Sequence, residues 1–464
     1  MKAFSKLRIL HMTLAATILF TMVSCEDDEV PKKDNNSQGV DIVEINGFIY
    51  TNMNIYYYWN LDMPKIDYRT ETNPEMYFYK LLKQPEDKYS FITDDVEELE
   101  KYFDGVVKSP GYSVQPYFFK QGSRQVIVFI EYVYANSPAS EAGLKRGDMI
   151  YKINDQILDD QNYITLLSLE EKVITLGTIV QGEIVELSPK VTVKDKENLV
   201  QNPIVATNII EEGGHKTGYL AYTSFIANYD DHLASVFQQF KAAGVTDLVL
   251  DLRYNGGGYV SSAQKLASMI APASVNGEVL MYQKFNFLLK SINDTLLFKV
   301  DKASNLDLDR VYILTTGGTA SASEIIIYGL EPYMEVIQIG ETTYGKYHGS
   351  ITISDDDIEP EKRRHSWAIQ PIVMESDNAN SSIDYLSGMK PDFEMKDNYY
   401  NADLGDPEEH FLAAALEHIY TGTISEETLK TVSLKSSGII SKPVMSLVNP
   451  LYGTMLVETP SLDK

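Results

Sequence analysis

The chain has 464 residues, 44% of them hydrophobic and 23% charged, enough for two to four folded domains. Its formal net charge of −26 argues against nucleic acid, or an anionic membrane, gripped through a basic face. A single cysteine rules out an intramolecular disulfide and a cysteine-based metal cluster.

At the N-terminus, Lys2, Lys6 and Arg8 precede a mostly apolar run from Ile9 to Val23. The run is shorter than the ~20 residues a spanning helix needs, and His11 interrupts it. Residues 1–24 therefore read as a secretory signal. Met22-Val23-Ser24 leads into Cys25, and the whole resembles a bacterial lipoprotein signal. The resemblance implies lipidation of Cys25 and a lipid anchor in the envelope of a Gram-negative bacterium, at the outer membrane on its periplasmic or surface face. An uncleaved anchor, or a plain signal with an incidental cysteine, is the other reading. Residues 25–40, opening on Glu26-Asp27-Asp28-Glu29, are too polar to bury a core and read as a tether.

Residues 41–105 carry aromatic-rich helical patterning, with Ile55, Tyr58 and Trp59 near one face, and predict a small helical domain. From 106 the period shortens. Gln125 to Ile130 is strand-like, Ser137-Pro138-Ala139 is a turn into a short helix, and Ala142-Gly143-Leu144-Lys145-Arg146-Gly147-Asp148 precedes another strand. This order resembles a PDZ domain over 106–192. The resemblance implies a peptide added as a strand to a sheet edge, with Gly111, Tyr112, Ser113 and Val114 as the loop for its terminal carboxylate.

Over 193–421 strands and helices alternate. Gly218–Tyr222, Leu248–Leu252, Val311–Leu314 and Val336–Ile339 read as strands, with helices from Asp231, Ser262 and Ser321 and a closing helix from Glu408. The class is α/β within an α+β multidomain chain, and 271–305 is an insertion. Residues 422–464 predict a loosely ordered tail.

Three motifs in this domain carry chemistry. Ser321 lies in Thr319-Ala320-Ser321-Ala322-Ser323-Glu324, at a helix start after an apolar strand. Lys346 lies 25 residues on, past the next strand, in Thr343-Tyr344-Gly345-Lys346. A serine hydroxyl needs a base, and a lysine serves only when neutral. Holding it neutral at pH 7 costs about 4.6 kcal/mol, which burial supplies. We therefore expect no carboxylate in contact with the Lys346 amine. The third motif, Asp251-Leu252-Arg253-Tyr254-Asn255-Gly256-Gly257-Gly258, follows a buried strand. Its Gly257 and Gly258 amides, with the Ala322 N–H, are candidates for an oxyanion hole. Taken alone, Ser321 to Glu324 also fits a helix capping box.

Together the motifs resemble the C-terminal processing, or tail-specific, proteases, Ser-Lys endopeptidases with a PDZ domain and a crotonase/ClpP-like core. Gly256 stands where that family has a proline, and Ser350 where it often has a glutamine that orients the base. The resemblance implies a polypeptide substrate, no cofactor and no metal, with Ser321 as nucleophile, Lys346 as base and Ser350 as third member. His348 as base, a non-catalytic peptide-binding scaffold and a crotonase-type acyl-CoA enzyme are the alternatives.

Overall fold

Apolar strands such as Leu248–Leu252 show no alternation, the pattern of a strand covered on both faces. The computed structural model describes residues 41–355, 363–380, 385–399, 402–430 and 454–457. The signal segment, Cys25 and the tether lie outside the described residues. Asp247–Asp251 is wholly buried at the middle of a six-stranded sheet. The sheet order is Ile204–Glu212, His215–Tyr222, Asp247–Asp251, Arg310–Thr315, Glu335–Gly340, Phe393–Glu394. Only the first pair is antiparallel.

Alternate residues of these strands feed two cores. Leu248, Leu250, Val311 and Ile313 join Phe237, Leu266 and Ile326, from the helices Asp230–Ala243, Val260–Ile270 and Ala322–Leu330. Tyr219, Val249, Leu314 and Ile339 meet Phe411, Leu412 and Leu416 of His410–Thr421 on the other side. Every residue of Ala322–Leu330 is buried, so its N-terminus is held by packing on all sides. The 271–305 insertion forms the hairpin Val279–Phe285/Asp294–Leu297, which enters a second six-stranded sheet beside Ile372–Asp377.

The segment expected to be a helical domain contains helices Ile42–Tyr56, Pro74–Leu81 and Val96–Phe103. Asp41, Asn73 and Asp95 cap them, each accepting from a first-turn N–H. Val96, Leu99 and Phe103 of the third form a small cluster with Phe91, Ala368 and Leu456, while the first two join the core. Ile49, Met53, Tyr57 and Phe78 pack into the main cluster, and Phe91–Thr93 pairs with Ala368–Gln370.

The PDZ region is a seven-stranded sheet over its own core of Val128, Ile130, Ile150 and Ile174. It extends past the expected boundary at 192, because Val191–Lys194 pairs with Glu171–Val180. Gly111 to Val114 is a correction. Only Gly111 is a turn; Tyr112, Ser113 and Val114 begin the edge strand Tyr112–Phe118, in register with Val133, Tyr132 and Ile130. Tyr112–Phe118 is the outer strand of this sheet, so these three residues lie in a ladder and not in a loop. Of the expected loose tail only residues 422–430 and 454–457 are described, and these depart from the expectation. Glu426–Leu429 is helical and Met455–Leu456 is a buried strand, because a short apolar run hidden in polar sequence found a sheet to join.

PDZ region and core meet at a buried charge cluster. Arg253, fully buried, donates to Asp251 at 2.6 and 3.0 Å, to Glu409 at 2.8 Å and to Asp397 at 3.1 Å. Arg146 of the PDZ region donates to the same Asp397 at 3.0 Å and to the Glu131 carbonyl at 2.8 Å. Removing one partner strands carboxylates away from water, at a cost of about 3–5 kcal/mol. Arg253→Ala should lower the unfolding free energy read from urea denaturation by that amount; a loss below ~1 kcal/mol would show the cluster to be dispensable.

Candidate active site

Two loops at the C-terminal ends of the parallel strands build the site. The loop after Asp247–Asp251 is locked to the loop after Arg310–Thr315. Thr319 Oγ1 donates to the Leu252 carbonyl at 2.8 Å, and the Asn255 carbonyl accepts from Ala320 N at 3.1 Å and Ser323 Oγ at 3.0 Å. The Ser323 hydroxyl is thereby engaged. Ser321 Oγ, buried, makes no hydrogen bond. Ser321 sits at φ 64, ψ −116, a left-handed conformation that bulky residues avoid and that marks a strained strand-to-helix turn.

Glu324 joins this turn to the lysine. Its Oε2 accepts from Ser321 N at 2.8 Å and from Lys346 N at 2.9 Å. Its Oε1 accepts from Thr343 Oγ1 at 2.6 Å and from Gly345 N at 2.8 Å. Tyr344 N adds a bond to the Thr319 carbonyl at 2.9 Å. The Ser-x-x-Glu pattern does form half a capping box, through Glu324 alone, while the serine hydroxyl stays unpaired. Burial pushes the Glu324 carboxyl above its usual range, and its four donors pull it back.

Lys346 is 2% exposed. Burial lowers its pKa to about 7, opposed by the charges of Asp87 and Glu324. Among the described residues no carboxylate forms an ion pair with its amine, which instead lies 4.8 Å from the centre of the Tyr89 ring. Asp87 and Tyr89 come from the N-terminal segment, and sequence reasoning missed both. Asp87 Oδ1 accepts from Tyr89 N and Ser90 N, while its buried Oδ2 has no hydrogen-bond partner. No spacing in the chain announces such a long-range approach.

The remaining predicted residues divide. Ser350 does not reach the lysine amine: its hydroxyl donates to the Met455 carbonyl at 3.2 Å and accepts from Gln370 Nε2 at 3.1 Å. His348 stacks on Tyr347 and packs against Trp59 and Tyr58, and burial drops its pKa to about 4. Gly257 N–H donates to Asn255 Oδ1 at 2.9 Å, and Gly258 N–H to the Thr454 carbonyl at 2.8 Å. Ala322 N–H opens its helix and has no intrahelical acceptor by position. At Gly257, φ 113, an added methyl would meet Ser321 Cβ and Thr454 O at 2.8 Å, so only glycine permits this approach. Tyr112 and Ser113 line a cleft of about 480 Å³ together with Gly256, Gly257 and Gly258, so the PDZ edge and the glycine loop face one space.

A buried, unpaired Ser321 hydroxyl and a buried lysine with its pKa lowered to about 7 thus lie on two loops joined by Glu324, at the strand ends of an α/β core. The sequence pattern of peptidase family S41 matches residues 216–370, its N-terminal domain matches 44–91, and a PDZ domain matches 129–177. A putative S41 protease from Bacteroides fragilis superposes with a TM-score of 0.69 at 30% identity, over 81% of this chain and 97% of that one. The chain belongs to peptidase family S41. It is 28% identical over 219 residues to a carboxyl-terminal-processing protease of Synechocystis, 46% of this chain and 48% of that protein. It is 25% identical over 215 residues to the carboxy-terminal processing protease CtpB of Bacillus subtilis, 46% of this chain and 42% of that protein. The aligned chain thus spans about half the length of these two relatives.

Two variants probe the geometry. Both Glu324 oxygens accept two donors each, so Glu324→Gln must turn its NH₂ against two of them. It should cost about 2–4 kcal/mol of stability and at least ~10²-fold in reactivity, read by thermal melting and by fluorophosphonate labelling of Ser321. Asp87→Asn removes the larger charge that raises the Lys346 pKa, so the acid limb of the labelling rate should move to lower pH. A shift upward would contradict this reading.

Proposed function

We propose that the chain is a serine endopeptidase that cleaves extended or C-terminal segments of polypeptides outside the cytoplasm through a Ser-Lys dyad. One observation carries this reading: a buried lysine with a pKa of about 7 and, among the described residues, no carboxylate ion-paired to its amine, joined through Glu324 to an unpaired buried serine. The relatives' names, carboxyl-terminal-processing proteases, agree with it.

Ser321 Oγ attacks the scissile carbonyl as Lys346 Nζ takes its proton. The developing oxyanion is met by the Ala322 N–H at the helix start and by the Gly258 amide once that is released from Thr454. Lys346 then returns the proton to the leaving amine and activates the water that frees the acyl group. The Gly257 amide is spent on Asn255 and shapes the loop, and Ser350 shapes the cleft wall. The PDZ edge strand presents the substrate to the adjoining cleft. A lipid on Cys25 and the acidic tether hold the enzyme at the bacterial envelope, a reading that rests on the sequence of residues 1–40.

Ser321→Ala and Lys346→Ala should each reduce turnover of unfolded casein by at least ~10³-fold while preserving cooperative unfolding. Full activity in either would refute the dyad. Since only neutral Lys346 accepts the proton, the rate should fall about tenfold per pH unit below about 7 and level off above it, in a pH–rate profile.

A further inference from the structure

One wall of the cleft is built by residues 454–457, whose Thr454 and Leu456 line it. They form a strand between Gly258–Tyr259 and His348–Ser350, parallel to both. These flanking strands are the segments that follow the glycine loop and the base. The inserted strand is bonded on both edges. Gly258 N–H donates to the Thr454 carbonyl at 2.8 Å, Ser350 Oγ to the Met455 carbonyl at 3.2 Å, and Val457 N–H to the Ser350 carbonyl at 3.1 Å.

The flanking strands do not pair with each other. With strands spaced ~4.8 Å apart, they leave a slot one extended chain wide, lined by the Gly258 donor and the Ser350 acceptor. The slot ends at the nucleophile. A methyl placed on Gly257 would lie 2.8 Å from Thr454 O and 3.0 Å from Ser321 Oγ, so the carbonyl and the hydroxyl border one small space. The slot also selects side chains. Met455 is fully buried in the main core, and Leu456 packs with Phe91, Phe103 and Ala368.

We propose that this slot is where the substrate strand lies, and that residues 454–457 occupy it as a tethered surrogate in the resting protein. The proposal rests on the peptidase reading for its consequence, but the occupancy itself does not need catalysis. The ligand class is an extended segment with neighbouring apolar side chains, as an unfolded C-terminal stretch provides. The tail holds the Gly258 amide, so a substrate must displace it before that donor can serve an oxyanion.

The test is binding of a fluorescein-labelled peptide of residues 450–461 to Ser321→Ala proteins, followed by anisotropy. A chain ending at Lys430 should bind it at least ~10-fold more tightly than the full chain, whose slot is filled. Should the shortened chain not fold, the full-length Met455→Glu/Leu456→Glu double variant, which expels the strand, takes its place. Equal affinity for the filled and opened proteins, or no binding to a folded opened one, overturns the proposal. With Ser321 restored, the opened proteins should turn over unfolded casein ~10-fold faster than the full chain. Peptide binding without any casein turnover would sink the peptidase reading and leave the occupancy standing.

Discussion

Everything in the site depends on an amine kept out of water. Lys346 lies under Tyr89, in a pocket closed by the N-terminal segment. A lysine that titrates near 7 in the fold and near 10.5 when unfolded binds fewer protons folded than unfolded across that interval. Stability therefore rises with pH between about 7 and 10.5, and at neutral pH the lowered proton affinity of this group costs the fold on the order of 4–5 kcal/mol. The deep apolar packing of Ala322–Leu330 and the hydrogen bonds of Glu324 oppose that penalty.

Glu324 shows how two sequence-distant loops become one site. A carboxylate has two oxygens with two lone-pair directions each, and here all four serve the Ser321 turn and the lysine loop. The same carboxylate is a charge that raises the lysine pKa, so it is placed at the lysine backbone rather than at its amine. Its worth is positional. Asp87 adds a second such charge from the N-terminal segment, and both oppose the lowering of the lysine pKa by burial.

The sequence made the core architecture legible because buried parallel strands and amphipathic helices leave strong periodic signals. Ser321 and Lys346 stood out because each follows a strand in a distinctive local setting. Other features were hidden for physical reasons. Asp87 and Tyr89 reach the lysine through tertiary packing, which no spacing encodes. Glu324 was visible as a capping residue, but a capping box does not disclose that its carboxylate also bonds a loop more than twenty residues away. The pairing of residues 454–457 was lost in the polar composition of the tail, although Met455, Leu456 and Val457 are themselves apolar. Ser350 was assigned by position along the chain, and a bulge in its pairing with Ile372–Asp377 accompanies its turn toward Met455 and Gln370.

The most direct measurement is an NMR titration of the Lys346 side chain, in protein carrying ¹³C-labelled lysine, with the signal identified by its loss in Lys346→Met. A midpoint near 7 would show that the fold keeps Lys346 able to accept a proton at physiological pH. A midpoint at or above about 10, the range of a solvated lysine, would contradict the central claim.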